Sequence, residues 1–303
     1  MLNFVLCPSY HGATLLSLLL NLHPEISSLG DTFPTREFDQ RCSCGEKVSQ
    51  CRFWQEIYTR LSLDRFADCE ELLSRIPRSK GWLPHDKLFD KILSLFGPRI
   101  AILAWRFFES SKDEHIQTYL QFRKLTCEIL KTSVFVDGQK NIGKVLALKA
   151  LLGKKQEMKI IHLIRDPRGF FCSYRKYYNA DTRQGAGVWL KSHEHIEKYF
   201  SQGQGFSYLP VRYEDLCVSP SATLQRIFSS LGVASQDVCK KPVDLSNIHA
   251  VGNKMLRSFD GTIKLDLSWR QSVTKEEQDR ILEITRLLFE KYAYSQVNEN
   301  GIQ

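Results

Sequence analysis

Two short segments hold residue types suited to gripping an anion. In Cys7-Pro8-Ser9-Tyr10-His11-Gly12-Ala13-Thr14-Leu15-Leu16 an apolar run ends in a loop with one glycine, and a threonine follows as an apolar helical stretch begins. Such a turn can aim backbone N–H groups and a helix dipole at a phosphate or sulfate, with the Thr14 hydroxyl as a further donor. The second segment is Arg165-Asp166-Pro167-Arg168-Gly169-Phe170-Phe171-Cys172-Ser173-Tyr174-Arg175. An arginine ending a buried run, with Ser173 on the helix that follows, lets a planar guanidinium fork and a hydroxyl converge on one anion. The plainer alternatives are an ordinary strand-to-helix turn for the first segment and an Arg165–Asp166 pair for the second. The GxxxxGK[ST] pattern is absent and the first loop holds no Lys or Arg, which argues against an ordinary ATP or GTP hydrolase.

The charge balance agrees with an anionic ligand. Lys and Arg number 42 against 34 Asp and Glu, a net charge of +8 with a pI near 9.0. This favours anions such as nucleotides, phosphate or sulfate esters without choosing among them. The basic residues are spread along the chain, not clustered with aromatic platforms, so a nucleic-acid partner is not expected. Cys42, Cys44 and Cys51 have C-x-C-x6-C spacing. Free thiols or a disulfide fit that spacing better than zinc, which needs a fourth ligand such as Cys69 or a histidine. The odd total of 9 cysteines, no positive charge ahead of the apolar Gly12–Leu22 stretch and no span of membrane length predict a cytoplasmic protein with mostly free thiols.

The elements that must position these segments are short strands alternating with helices. Residues 3–6, 133–136, 159–164 and 207–211 are β-branched or aromatic runs bounded by polar or turn residues, and read as buried strands. Residues 13–22 are apolar nearly all round, which predicts a helix buried on several sides. Ser219-Pro220 and Gly232 mark the ends of another helix, and Thr274-Lys275-Glu276-Glu277 has capping-box form ahead of apolar residues at helical spacing. Strands alternating with helices predict an α/β fold with a mainly parallel central sheet. The stretch from about residue 36 to 131 is helical, charged and aromatic, with Trp54, Trp82 and Trp105 and no linker at either end. It reads as a helical insertion within a single domain spanning 1–303.

On these motifs the chain resembles the sulfotransferases that use 3′-phosphoadenosine 5′-phosphosulfate (PAPS), most of all the branch of carbohydrate and tyrosylprotein sulfotransferases and their bacterial relatives. Tyr10-His11-Gly12-Ala13-Thr14-Leu15-Leu16 stands where that family has Arg-Ser-Gly-Thr-Thr-Leu-Leu. His23-Pro24-Glu25, Gly30-Asp31, the cysteine segment Cys42–Trp54 and Asp137-Gly138-Gln139-Lys140 follow in the family's order. His162-Leu163-Ile164-Arg165-Asp166-Pro167-Arg168-Gly169 matches its 3′-phosphate signature. Arg212-Tyr213-Glu214-Asp215-Leu216, Gly252-Asn253 and Trp269-Arg270 complete the series.

The resemblance implies a P-loop-like three-layer fold and in-line transfer of a sulfuryl group from PAPS to an acceptor hydroxyl or amine, without a metal, leaving adenosine 3′,5′-bisphosphate. It assigns the 5′-phosphosulfate to the loop Tyr10, His11, Gly12, Ala13, Thr14 and Leu15, and the 3′-phosphate to Arg165 and Ser173. Arg257 and Arg270 are further candidates for anion contact. Lys140 is placed to meet the transferring group, and Asp31 stands where the related branch carries a glutamate base, with His11 and His23 as rivals. The chain departs from the family at Tyr10, where a cation usually offsets charge on the leaving phosphate. A protonated His11 or Lys140 would have to take over; the alternative is a degenerate protein that binds the nucleotide with little or no transfer.

Overall fold

A computed structural model describes residues 1–30, 34, 40–62, 100, 112–153, 155–203, 205–240, 243–245, 247–251, 253 and 255–294. Its centre is a five-stranded sheet of β1 (Leu2–Leu6), β2 (Ile26–Ser27), β3 (Val134–Asp137), β4 (Met158–Ile164) and β5 (Phe206–Arg212). The strand order is β2-β3-β1-β4-β5, and every pairing is parallel. The predicted strands are therefore present within a residue or so of their expected ends. The two-residue β2 was not expected; it is too short to carry a period. Pro210 lies in β5, at the sheet edge, where a missing N–H can be tolerated.

Side chains alternate across the sheet, as the two-residue period of a strand requires. Leu2, Phe4, Leu6, Phe135, Met158 and Ile160 face one layer, packed with Trp54, Phe122, Val145 and Phe200. That layer contains α2 (Arg52–Arg60), α3 (Lys112–Leu130), α4 (Ile142–Leu152) and α6 (Thr182–Phe200). Val5, Val136, Ile161, Leu163 and Val211 face the other, against α1 (Ala13–Asn21) and α8 (Pro220–Leu231). Helix α1 is buried at Ala13 and from Leu15 through Leu20, which explains its near-continuous apolar sequence. The remaining helices are α5 (Pro167–Tyr178), α7 (Tyr213–Val218), α9 (Met255–Ser258), α10 (Trp269–Ser272) and α11 (Lys275–Lys291).

Several local signals act as expected. Thr274 and Glu277 form a reciprocal capping box at the start of α11, and Gly232 ends α8 in the left-handed region. Ser219 is different: its side chain makes no capping bond, and its carbonyl accepts the Thr223 N–H while its own N–H reaches Asp215. Of the expected helical insertion, α2 and α3 are described, while residues 63–99 and 101–111, with Trp82 and Trp105, lie outside the described residues. No helix among the described residues is long and apolar enough to cross a membrane.

At the carboxyl end of β3, Asp137 is 2% exposed and is held by Lys144 Nζ at 2.7 Å and by the Tyr119 hydroxyl at 2.7 Å. Its second oxygen accepts the Gln139 N–H. Burial lowers the Lys144 pKa while Asp137 opposes the shift. The pair anchors the turn that carries Lys140, whose backbone is left-handed at φ 61°. Lys144→Met is expected to lower unfolding free energy by about 3–5 kcal/mol, because it strands a buried carboxylate. Urea denaturation measures this, and the double variant Asp137→Asn/Lys144→Met should recover part of the loss.

Candidate active site

The pairing of Leu6 with His162 sets the ends of β1 and β4 side by side, so the loops after them emerge together at the carboxyl edge, where open α/β sheets bind ligands. The first loop turns through two left-handed residues, Tyr10 (φ 65°) and Gly12 (φ 82°). At Gly12 a side chain is excluded twice over. Its backbone is in the glycine region, and a Cβ would sit 2.5 Å from the ring of Tyr213. Helix α1 then starts with no capping side chain and no acidic residue in its first turn. Thr14 is half-buried there, while Ala13 and Leu15 pack into the core. An uncapped first turn without acids suits a bound anion.

The second loop meets the first directly. Arg165 is 6% exposed and donates from one guanidinium nitrogen to the Tyr10 carbonyl at 2.8 Å and to Ser173 Oγ at 3.5 Å. Its other terminal nitrogen donates to Asp266 Oδ2 at 2.8 Å, and its guanidinium lies 4.8 Å from the centre of the Tyr213 ring. Arg165 and Ser173 thus converge as the sequence predicts. The expected alternative pair with Asp166 does not form: Asp166 caps α5 and binds Arg168 at 2.7 Å. Arg168 in turn stacks on Trp269 at 4.0 Å.

The segment Arg212–Asp215 supports both loops from beneath. Tyr213 contributes its ring, and Glu214 accepts the Asp166 N–H at 3.0 Å and the Tyr294 hydroxyl at 2.6 Å. Burial and the nearby Asp166 charge raise the Glu214 pKa to about 7. Arg212 pairs with Asp215 and also donates to the carbonyls of Tyr292 and Ala293.

Behind the first loop runs a chain of buried rings. His11 Nδ1 meets the Ser9 carbonyl at 2.9 Å, and its Nε2 meets His193 Nε2 at 3.0 Å. His193 Nδ1 meets His162 Nε2 at 2.7 Å, and His162 Nδ1 meets the Tyr208 hydroxyl at 2.5 Å. One proton per neutral ring satisfies the whole chain: Tyr208 donates to His162, His162 to His193, His193 to His11, and His11 to Ser9. Burial, with the charges of Arg165 and Lys140 adding to it, lowers the His11 pKa to about 3. His162 and His193 are lowered well below the usual value by the same burial. The expectation of a protonated His11 that replaces the missing cation is therefore corrected. The imidazole is fully buried, both nitrogens are engaged, and it is neutral at pH 7.

The other predicted residues have diverse surroundings. The Tyr10 ring stacks on Tyr177 at 5.1 Å and meets Tyr174 and Tyr178 edge-on, so it joins an aromatic cluster on α5. Lys140 sits in the turn after β3 with a left-handed backbone at φ 61°. Arg257 is exposed on α9 and Arg270 is exposed beside Trp269. His23 is buried and bonded to the Ala234 carbonyl and the Glu25 N–H, a structural histidine. Asp31 lies outside the described residues. Sequence reasoning missed His193, Tyr208 and Asp266 as parts of this neighbourhood, and took His162 only as the first residue of the 3′-phosphate signature. A histidine inside the apolar β4 run was the one available signal.

A sequence model described as "Sulfotransferase family" matches residues 4–237, which contain both loops and their supports. The chain belongs to the sulfotransferase family. No curated protein matches it. Among solved structures it is similar to the sulfotransferase domain of the Synechococcus PCC 7002 olefin synthase, with a TM-score of 0.54 and 18% identity over 95% of this chain and 94% of that one. It is also similar to the sulfotransferase domain from the curacin biosynthetic pathway, with a TM-score of 0.41 and 16% identity over 93% of this chain and 96% of that one. The first of these shares the fold of this sulfotransferase.

The buried histidines give the sulfotransferase a defined acid sensitivity. Unfolded histidines take a proton near pH 6.5, whereas His11, His162 and His193 resist it when folded. Their stabilising contribution is thus present above about pH 6.5 and lost as pH falls. Glu214 runs the other way between its ordinary value of 4.5 and about 7, since the folded state keeps its proton. Three histidines act against one carboxylate, so stability should fall as the pH drops from about 6.5 towards 5. Urea unfolding at a series of pH values checks this; a flat profile from pH 6.5 to 5 would show that the rings titrate freely.

Proposed function

We propose that this sulfotransferase uses PAPS as donor and moves its sulfuryl group in line to a hydroxyl or amine of an unidentified acceptor. The observation that carries the reading is the convergence of Arg165 and Ser173 beside the uncapped turn at Gly12, with Arg165 bonded to the Tyr10 carbonyl at 2.8 Å. An arginine fork and a helix N-terminus are two oxyanion sites of different character, as a nucleotide with phosphates at both ends of its ribose demands. Asp266 already rests a carboxylate on Arg165, so the donor set fits an oxyanion, and in this reading the 3′-phosphate takes that place.

The bound donor supplies a mixed anhydride of sulfate and phosphate. In this reading the first-turn amides of α1 and the Thr14 hydroxyl hold the 5′-phosphosulfate. Lys140 offsets charge gathering on the leaving phosphate. Arg257, exposed on α9, reaches an outer phosphate oxygen. Asp31 accepts the acceptor proton as the sulfuryl group transfers. No metal takes part.

A second reading, nucleotide binding with little transfer, is favoured by one observation. Tyr10 puts a ring into the tyrosine cluster where relatives have a cation, and His11 is neutral. A labelled-PAPS assay across alcohol, glycan, phenol and amine acceptors separates the two. Binding of adenosine 3′,5′-bisphosphate without turnover on any of them decides for the second.

Arg165→Ala is expected to weaken adenosine 3′,5′-bisphosphate binding by about 2–4 kcal/mol, as for a lost charge-assisted pair. The analogue lacking the 3′-phosphate should barely change. Equal losses in calorimetry for both ligands would mean that Arg165 acts only by holding the first loop. Asp31→Asn keeps shape and removes basicity, so turnover should fall by about 10²–10⁴. Nucleotide affinity should stay within about threefold. Full turnover in this variant would place the base elsewhere.

A further inference from the structure

Away from the two loops, four metal-ligating side chains meet at one point. Cys42, Cys44, Cys51 and His249 bring their ligand atoms within 4.8 Å of one another. We propose that they bind a structural zinc ion, in a Cys₃His site that fastens the segment around Cys42–Trp54 to the backbone around His249.

The spacings are those of a coordination sphere and not of a disulfide. Tetrahedral zinc with Zn–S of about 2.3 Å and Zn–N of about 2.0–2.1 Å sets sulfurs about 3.8 Å apart and sulfur and nitrogen about 3.6 Å apart. Cys44–Cys51 and Cys51–Cys42 are each 3.7 Å apart, and His249 Nδ1 lies 3.6 Å from Cys42 Sγ and 3.3 Å from Cys51 Sγ. A disulfide needs sulfurs about 2.05 Å apart, and would leave the third thiol and the imidazole with no shared purpose. Three thiolates and one imidazole form a closed ligand set of the kind found in structural zinc sites.

The surroundings hold each ligand in place. The chain from Cys42 turns back through Gly45 (φ 96°), with Gly45 N–H bonded to the Cys42 carbonyl and Cys42 N–H to Glu46. This turn carries Cys44, and Cys51 follows directly before α2. Ser43, between the first two cysteines, donates its N–H to the Ala250 carbonyl and its hydroxyl to that of Ile248, and accepts the Ala250 N–H. Phe53 stacks flat on the His249 ring at 4.9 Å, and Trp54 Nε1 donates to the His249 carbonyl at 3.1 Å. Cys42 and Cys51 are buried, whereas Cys44 and His249 are half-buried, which leaves a route for the ion. Two stretches about 200 residues apart would otherwise be held by a few hydrogen bonds and ring contacts. Zinc displaces the thiol protons on binding, so affinity should weaken as the pH is lowered.

The site also reaches the turn at Gly30. The Val251 carbonyl lies 3.3 Å from where a Cβ on Gly30 would be, and Val251 pairs with Cys42. The zinc would brace the backbone directly against Gly30.

The test uses the whole chain, purified under reducing conditions through a tag without histidines. Elemental analysis is expected to find about one zinc per chain, and cobalt(II) in its place should give tetrahedral thiolate–cobalt absorption. Cys44→Ser and His249→Ala should fall below about 0.2 zinc per chain, while Cys127→Ser, outside the cluster, keeps its full complement. Chelation of the unaltered chain should lower its melting midpoint by about 10 °C, with recovery on adding zinc. The proposal is overturned if the folded, unaltered chain carries less than about 0.2 zinc and chelator leaves its melting unchanged. It is equally overturned if both ligand variants retain full zinc, or if mass spectrometry of the unreduced chain shows a disulfide within the cluster.

Discussion

The site depends on the ring of Tyr213. Gly12 packs on it so closely that even a methyl group would collide, and the Arg165 guanidinium lies over it at 4.8 Å. One aromatic side chain therefore sets the distance between the phosphate-loop backbone and the arginine that bonds to the Tyr10 carbonyl. A flexible side chain there would let the two loops drift independently. Because the ring is planar and buried, it transmits the geometry of β5 and α7 to the ends of β1 and β4. The left-handed Gly12 follows from the same contact: the turn must bring bare backbone against the ring.

The second constraint is electrical. Burial, helped by the charges of Arg165 and Lys140, keeps the His11 ring behind the first loop neutral. The histidine chain stays neutral and directional, each ring donating at one end and accepting at the other. A carboxylate in the same place would neutralise the loop and weaken its hold on an anion. Asp266 meets Arg165 instead from a half-exposed position.

Much of this was legible in the sequence because it is local. The strands at 3–6, 133–136, 159–164 and 207–211 declared themselves through β-branched and aromatic runs, and the Gly12 turn and the Arg165–Ser173 pair each lie within a dozen residues. What was not legible is long-range. His11, His162, His193 and Tyr208 come from a loop, a helix and two strands, and no spacing links them. His249 stands some two hundred residues from the cysteines it faces, so the C-x-C-x6-C pattern alone looked like an incomplete set. Asp266 carries no signal either, since an aspartate in an irregular segment is ordinary. The resemblance marks Tyr10 as a departure from the family's pattern, but its place among the α5 tyrosines follows only from the fold.

The strand order has a consequence for how the chain reaches this state. β1 is the middle strand, yet its partners β3 and β4 are made roughly 130 residues or more after it. During synthesis a strongly apolar segment, followed at once by the equally apolar α1, must wait with both edges open. At about 5–20 residues per second that wait lasts on the order of ten seconds, long compared with the collapse of a small chain. Non-local parallel pairing of this kind is slow to nucleate. Until the Met158–Ile164 strand emerges, β1 and α1 are therefore the segments most in need of shielding, and refolding from denaturant should be limited by aggregation through β1.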